Sequence, residues 1–262
     1  VWDNVGKMNN KGFEMEVNYQ KQINQDFGFS VAYNFSIIKN KMTELNGVDY
    51  IGLSSSELHG RNFDQETSRS AVGQPIGSFF VYEADGLFQN DAEIQNYKND
   101  KSEDRDFVGS PLPDCSMGLT LGFNYKNFDI SAFFQGVFGN EVYNLTNYLG
   151  EFYNQAQYNK NSTILDAWRP DHTNTDIPRV TLDDPNNNIR PSTYYIHNAS
   201  FVRLKNLKIG YTLPDRITSK LKLKRTYIYL QGQNLFTITG YNGIDPEVGL
   251  QSYSSENRNL DM

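Results

Sequence analysis

The sequence holds one cysteine, three histidines and two tryptophans among 262 residues. A lone thiol, Cys115, excludes a disulfide framework within the chain. His59, His172 and His197 are far apart, and none has a partner at metal-ligand spacing. Basic residues are also scarce. Twenty-four Lys and Arg stand against 31 Asp and Glu, for a formal net charge of −7. A general nucleic-acid binder needs basic surface to neutralise phosphates, so that class is set aside. No apolar run approaches the roughly 20 residues that a membrane-crossing helix needs. No Gly-x-Ser-x-Gly elbow and no phosphate loop occurs, and Cys115 simply follows a Pro-Asp turn, so the chain reads as a non-enzyme.

Aromatic residues, by contrast, are plentiful: 17 Tyr and 17 Phe, in a chain whose mean hydropathy is only −0.62. Aromatic and polar at once is what strands with one greasy and one wet face require. The order of residues bears this out as period-two alternation. Phe13, Met15, Val17 and Tyr19 alternate with Glu14, Glu16, Asn18 and Gln20. Past a polar break at 24–26, Phe27, Phe29, Val31, Tyr33, Phe35 and Ile37 alternate with small and polar residues, which predicts a hairpin. Leu119, Leu121, Phe123 and Tyr125 repeat the pattern, and after Lys126-Asn127 so do Phe128, Ile130, Ala132 and Phe134. A third hairpin is expected over 201–213 and 225–237, and a weaker pair over 67–73 and 78–82 across Gln74-Pro75-Ile76. Arg203 and Lys205 fall in phase with Leu207, Ile209 and Tyr211. A bulge is therefore expected there, or a strand rising out of lipid.

The connections alternate. Short ones lie near 24–26, 74–76, 126–127 and 214–224; long ones span about 39–66, 84–116, 139–199 and 239–262. A transmembrane β-barrel keeps short turns on one side and long loops on the other. Only helices and closed sheets satisfy their backbone groups in lipid. The fold class expected is therefore all-β: an antiparallel transmembrane β-barrel segment of about eight strands with long extracellular loops. In that reading Phe13, Val17, Phe29, Val31, Phe35, Leu119, Leu121, Phe123 and Ile130 face lipid. Glu14, Glu16, Asn34, Asn124, Asp129 and Gln135 face a wet lumen. The rival reading is a soluble all-β carbohydrate-binding or adhesin module with the apolar rows packed between two sheets.

Short stretches along nearly the whole chain carry a resemblance. They include Asn10-Lys11-Gly12-Phe13-Glu14, Gly73-Gln74-Pro75-Ile76-Gly77, Asp85-Gly86-Leu87-Phe88 and Gly109-Ser110-Pro111-Leu112-Pro113-Asp114. Ala167-Trp168-Arg169-Pro170, Phe201-Val202-Arg203-Leu204-Lys205-Asn206, Gly232-Gln233-Asn234-Leu235-Phe236 and Tyr241-Asn242-Gly243-Ile244-Asp245-Pro246-Glu247 continue the series. In this order they resemble the C-terminal barrel of SusC/RagA-type TonB-dependent transporters. The resemblance implies a barrel of about 22 strands around a plug in the outer membrane of a Gram-negative bacterium. It implies TonB as the energy source, acting through an N-terminal part, and a SusD-like lipoprotein over the mouth. The cargo it implies is oligosaccharide or peptide. Against that family, residues 1–262 read as the C-terminal part of the barrel, without plug, TonB box or final strand. The remainder of the barrel, the plug and outer-membrane lipid are then expected partners.

The loops hold the remaining candidates. Trp168, Arg169, Tyr194 and Tyr195 are residue types that stack on sugars, hold carboxylates or pack against a lid, although packing within the loops accounts for them as well. Residues 162–168 read as a short helix capped by Ser162 or Thr163. Asp171, Asp176, Asp183 and Asp184 stand in runs rich in hard oxygen ligands, which makes calcium a weak candidate. Turn bonds from side chain to backbone explain the same composition. No cofactor is otherwise expected.

Overall fold

The computed structural model describes residues 6–54, 66–96, 105–151, 159–182, 184, 188–247 and 260–261. Two long strands open the chain, β1 (Gly6–Gln22) and β2 (Phe27–Leu45). Three short ones follow: β3 (Tyr50–Ser54), β4 (Glu66–Ala71) and β5 (Ser78–Tyr82). Helix α1 (Asp91–Asn96) and β6 (Arg105–Gly109) lead to the long pair β7 (Cys115–Tyr125) and β8 (Phe128–Phe138). Then come β9 (Glu141–Asn144), α2 (Leu145–Glu151), β10 (Ile196–Asn198), β11 (Phe201–Thr212), α3 (Asp215–Lys220), β12 (Tyr227–Thr239) and the two-residue β13 (Leu260–Asp261).

The six long strands form one antiparallel sheet in the order β1-β2-β7-β8-β11-β12. Its register carries the sequence alternation across the whole sheet. Tyr19 pairs with Val31, Val31 with Leu121, Leu121 with Ala132, and Ala132 with Leu207. One residue along, Asn18 pairs with Ala32, Ala32 with Thr120, and Thr120 with Phe133. Successive side chains point to opposite faces, so the apolar and the polar rows stay separate. Every residue named above as lipid-facing lies on the first face, and every one named as lumen-facing on the second. Phe133 in β8, Phe201 in β11 and Tyr227 and Tyr229 in β12 are aromatic residues on the polar face.

The bulge expected near Arg203 is present. Lys205 is an extra residue against β8, where Leu204 pairs with Phe134 and Asn206 with Phe133. Against β12 the same step skips Asn234 and Leu235, and Asn234 takes φ 50, in the left-handed region that Asn tolerates. The extra residue shifts the phase by one. Leu207, Ile209 and Tyr211 lie on the apolar face, while Arg203 joins Gln135 and Thr237 on the polar one. A regular strand would have put the Arg203 charge on the apolar face; the bulge removes it.

Three connections meet at one end of this sheet. The Lys126 amide donates to the Asp26 carbonyl at 2.7 Å, and the Thr212 amide to the Asn127 carbonyl at 2.9 Å, which joins neighbouring turns. The 74–76 turn is not among them, contrary to the sequence-based expectation. The Met42 amide donates to the Gln74 carbonyl at 2.8 Å, and the Gly73 amide to the Met42 carbonyl at 2.9 Å. These bonds hold the turn at the opposite end, beside the top of β2. Strands β4 and β5 accordingly leave the wall and form a separate sheet, ordered β3-β4-β5-β6. The wall in the described residues thus has six strands instead of about eight. At six and five residues, β4 and β5 are shorter than the roughly 9–11 residues of a membrane-crossing strand. The first hairpin makes the opposite correction. It continues past residue 39, where a loop was expected, because polar pairs zip it: Asn40 donates to Asn10 at 2.6 Å, and Lys7 pairs with Glu44.

The core sits at the loop end. Phe79, Val81, Tyr143, Leu145 and Tyr195 form one buried cluster; Val142, Ala199 and Tyr241 form another. In β1, β7, β8 and β12 no apolar side chain is buried. Phe13 is 59% exposed, Ile228 58% and Leu230 76%. Among the described residues such a row has no packing partner.

Candidate functional site

The loop end gathers most of the chain's specific polar geometry. Its centre is aromatic. Tyr143 and Tyr195, neither with exposed surface, lie with ring centroids 5.4 Å apart, and Tyr194 stands edge-on to Tyr195 at 5.2 Å. The Tyr194 hydroxyl donates to Glu151 Oε2 at 2.6 Å, and the Thr163 hydroxyl to Glu151 Oε1 at 3.2 Å. Burial, with the Glu151 hydrogen bond and charge added, pushes the Tyr194 hydroxyl far above its ordinary pKa. Tyr194 is therefore a fixed neutral donor that ties the segment before β10 to α2.

Residues 162–166 form a short 3-10 helix, one residue class away from the expected cap: Asn161 holds the N-cap position and makes no side-chain capping bond. The segment beyond it folds back, with paired amide and carbonyl bonds between Arg169 and His172 at 3.0 and 2.8 Å. His172 Nε2 meets Asp166 Oδ1 at 2.7 Å. The Trp168 indole donates to Gln89 Oε1 at 2.8 Å across the loops. Arg169 is exposed, donates to the Leu165 carbonyl and approaches Asp171 at 3.6 Å. Trp168, Arg169 and Tyr194 thus retain accessible surface, whereas Tyr195 is core packing and has none to offer a ligand.

Of the four aspartates considered for calcium, the three in the described residues belong to no cluster suited to a metal. Asp183 lies outside the described residues. Asp184, at φ 40, uses both carboxylate oxygens on backbone amides, those of Asn188 at 2.9 Å and Ile189 at 3.0 Å. Asp171 faces Arg169. Among the described residues no group of three or more His, Cys, Asp or Glu side chains is clustered for a metal. His59 also falls outside the described residues. His197 lies against Tyr241, and burial lowers its pKa.

One cluster escaped sequence reasoning. Arg203, buried in β11 beside the bulge, donates to Thr237 at 2.7 Å, to Glu247 at 2.7 Å and to Asp245. Lys205 donates to both oxygens of Glu247. Two cations two residues apart thus meet two anions two residues apart, and the segment after β12 is strapped to the outer end of β11. Burial pushes the Asp245 carboxyl up, but the Arg203 hydrogen bond, the Glu247 amide and the charges of Arg203 and Lys205 outweigh it, so its pKa falls. The matched spacing of Arg203-x-Lys205 and Asp245-x-Glu247 was the available signal. Nearby, burial raises the Glu141 pKa even though its carboxylate accepts from the Ser110 amide at 2.7 Å.

Known proteins align with this arrangement. No family model matches the chain. TonB-dependent receptor P3 of Formosa agariphila is 34% identical over 279 residues, covering 99% of this chain and 27% of the receptor. TonB-dependent receptor SusC of Bacteroides thetaiotaomicron is 30% identical over 257 residues, covering 94% of the chain and 24% of SusC. The structure of the RagAB peptide transporter superposes over 98% of this chain and 27% of its own, with a TM-score of 0.78 at 25% identity. The same importer in its "open-open" state gives a TM-score of 0.77. The chain spans about a quarter of the length of the curated relatives it matches. The six-stranded wall and its loop-end assembly follow the RagAB structure along nearly their whole course. The chain belongs to the SusC/RagA-type TonB-dependent receptors, and its long sheet is part of their antiparallel β-barrel.

Proposed function

We propose that this chain supplies part of the wall and the outer loops of an outer-membrane importer of oligosaccharides or peptides. A SusD-like surface lipoprotein closes the mouth, and TonB, engaging a part of the receptor other than this segment, supplies the energy. The observation that carries the reading is the separation of rows. The residues named as lipid-facing form one continuous apolar face, exposed or half-buried, while Glu14, Glu16, Asn34, Asn124, Asp129 and Gln135 share the other. Removing each large side chain of the first row from water is worth about 1.5–3 kcal/mol. Hydrocarbon provides that burial, and a wet lumen provides for the second row. A soluble module would have placed the apolar rows between two sheets. Trp168, Arg169 and Tyr194 contribute accessible loop surface to the lid or the cargo, and no catalytic step is assigned to any residue.

Site-directed labelling of the full-length receptor in cells tests this. With Cys115 replaced by Ser, a cysteine at Leu121 is expected to resist water-soluble maleimide and to be quenched by lipid-phase probes. A cysteine at Thr120 is expected to do the reverse. Recovery of the receptor in a detergent-free soluble fraction, or equal labelling at both positions, sinks the proposal.

A further inference from the structure

The end of the wall opposite the loop core carries the chain's densest run of positive charge. Between β11 and β12, residues 213–226 hold Arg216, Lys220, Lys222, Lys224 and Arg225 against one acid, Asp215, in a chain of net charge −7. Among the described residues no ion pair engages any of the five. Of the other charges at this end, Asp26 and Lys126 offset each other across neighbouring turns. Asp129 is turned to the polar face, where it accepts from Tyr227 at 2.7 Å and lies 4.0 Å from Lys208. Lys21, paired with Phe29 on the apolar face, adds one more cation.

The connection is shaped to display this charge. Thr218 is buried and marks the side of α3 that faces the protein. Arg216 and Lys220 lie on the opposite side, while Ile217 and Leu221 share an adjacent strip, 44% and 60% exposed. The helix ends in a Schellman pattern: the Lys222 amide donates to the Ser219 carbonyl at 3.1 Å and the Leu223 amide to the Thr218 carbonyl at 2.9 Å, with Lys222 at φ 57. Glycine is the usual residue in that left-handed position; here a lysine holds it. The level of the connection follows from the row beside it. The last cross-strand row on the apolar face runs Phe27, Tyr125, Phe128, Tyr211, Ile228. Such a line of rings is a girdle, which marks the boundary between hydrocarbon and headgroups. Lys126 stands 5.4 Å from the Tyr125 ring centroid, and the basic connection leaves β11 just past Tyr211. It therefore starts at headgroup depth, on the side of the short turns, which in such barrels is periplasmic.

We propose that the 214–225 connection docks on the periplasmic leaflet by binding anionic phospholipid headgroups, its lysines on the phosphates and Ile217, Leu221 and Leu223 among the upper acyl carbons. The inference rests on the membrane reading above and adds a lipid class to it. Charge complementarity requires an anion. Continuity chooses a lipid over an acidic soluble protein: the exposed aliphatic side chains extend the apolar row that ends at Tyr211 and Ile228. Basic and apolar side chains on one short surface segment suit a charged interface, whereas a merely hydrated turn needs only the charges.

The test uses the full-length receptor carrying Cys115→Ser, with a bimane-labelled cysteine at Leu221, in vesicles of phosphatidylcholine and phosphatidylglycerol in which one lipid or the other is brominated in its acyl chains. At equal mole fraction, brominated phosphatidylglycerol is expected to quench about fivefold more effectively. Lys220→Gln/Lys222→Asn/Lys224→Gln is expected to bring that ratio below about twofold; asparagine tolerates the left-handed backbone, so the turn is kept. Raising salt from about 0.1 to 1 M shortens the Debye length from about 10 to 3 Å and should do the same to the unsubstituted turn, which decides the matter if the triple variant does not fold. Equal quenching by the two lipids overturns the inference. So does a preference that survives the folded triple variant, or high salt where that variant does not fold. A label at Leu221 that neither lipid quenches, while one at Leu121 is quenched, places the turn in water or on a soluble partner and overturns the inference alone. A label at Leu121 that is also unquenched sinks the membrane reading itself.

Discussion

The wall and the loop end are built from the same kinds of residue and solve burial in opposite ways. In the wall, Phe13, Val17, Ile228 and Leu230 are exposed, and order comes from ladder hydrogen bonds, register and cross-strand side-chain pairs. At the loop end, Val81, Tyr143 and Tyr195 have no exposed surface, and charged groups are paired across loops. The first region is stabilised by what surrounds it, and the second carries its own core. Apolar content alone therefore says little about where a core lies. What matters is whether the apolar rows of two elements face each other.

Three experiments on the full-length receptor can break or sharpen this contrast. The largest effect is expected from Phe79→Ala, which opens a cavity in the loop-end core and costs about 3–5 kcal/mol. Limited proteolysis should then cut the loop segments while heat-modifiable migration of the barrel persists. Simultaneous loss of both would mean that the two regions unfold as one. Next comes Leu121→Arg in the wall, expected to cost about 2–4 kcal/mol if its row lies near the middle of a bilayer. The matched Thr120→Arg on the other face should cost under about 1 kcal/mol. Urea titration of the folded receptor in vesicles reads both, and equal costs would erase the distinction between faces.

The smallest effect belongs to the strap. Arg203→Met leaves Asp245 without its guanidinium partner and should cost about 1.5–3 kcal/mol, confined to the segment after β12. Hydrogen exchange at the Glu247 amide, which donates to Asp245 at 2.8 Å, measures it. The pH dependence has a definite sign. The folded pKa of Asp245 lies below its ordinary 3.8, so the strap's contribution is complete above that value and is lost as pH falls below it. Glu141 acts in the opposite sense: its raised pKa means that its burial becomes less costly as pH falls through that value. Acid exchange that accelerates around Glu141 first, with the strap intact, would contradict both assignments.

The long strands were legible because alternation is a local signal repeated over many residues. Strands β7 (Cys115–Tyr125) and β8 (Phe128–Phe138) each extend a few residues beyond the alternating residues at 119–125 and 128–134. The bulge was legible for the same reason, since without it Arg203 and Lys205 would share the phase of Leu207, Ile209 and Tyr211 on the apolar row. The pair β4–β5 was not: a short alternating run with a Pro turn looks like a wall hairpin until the bond between Met42 and Gln74 shows at which end it lies. The Arg203–Asp245–Glu247 strap was missed because its members lie on separate segments, and no local pattern joins β11 to the segment after β12.

The sequence by itself determined the strand period and the two faces of each long strand, because both depend on neighbours within a few residues. Only the tertiary structure decided the number of wall strands, the place of the core and the partner of every loop charge. Those depend on which distant segments share a surface, and loops linked by irregular backbone carry no period from which that could be read.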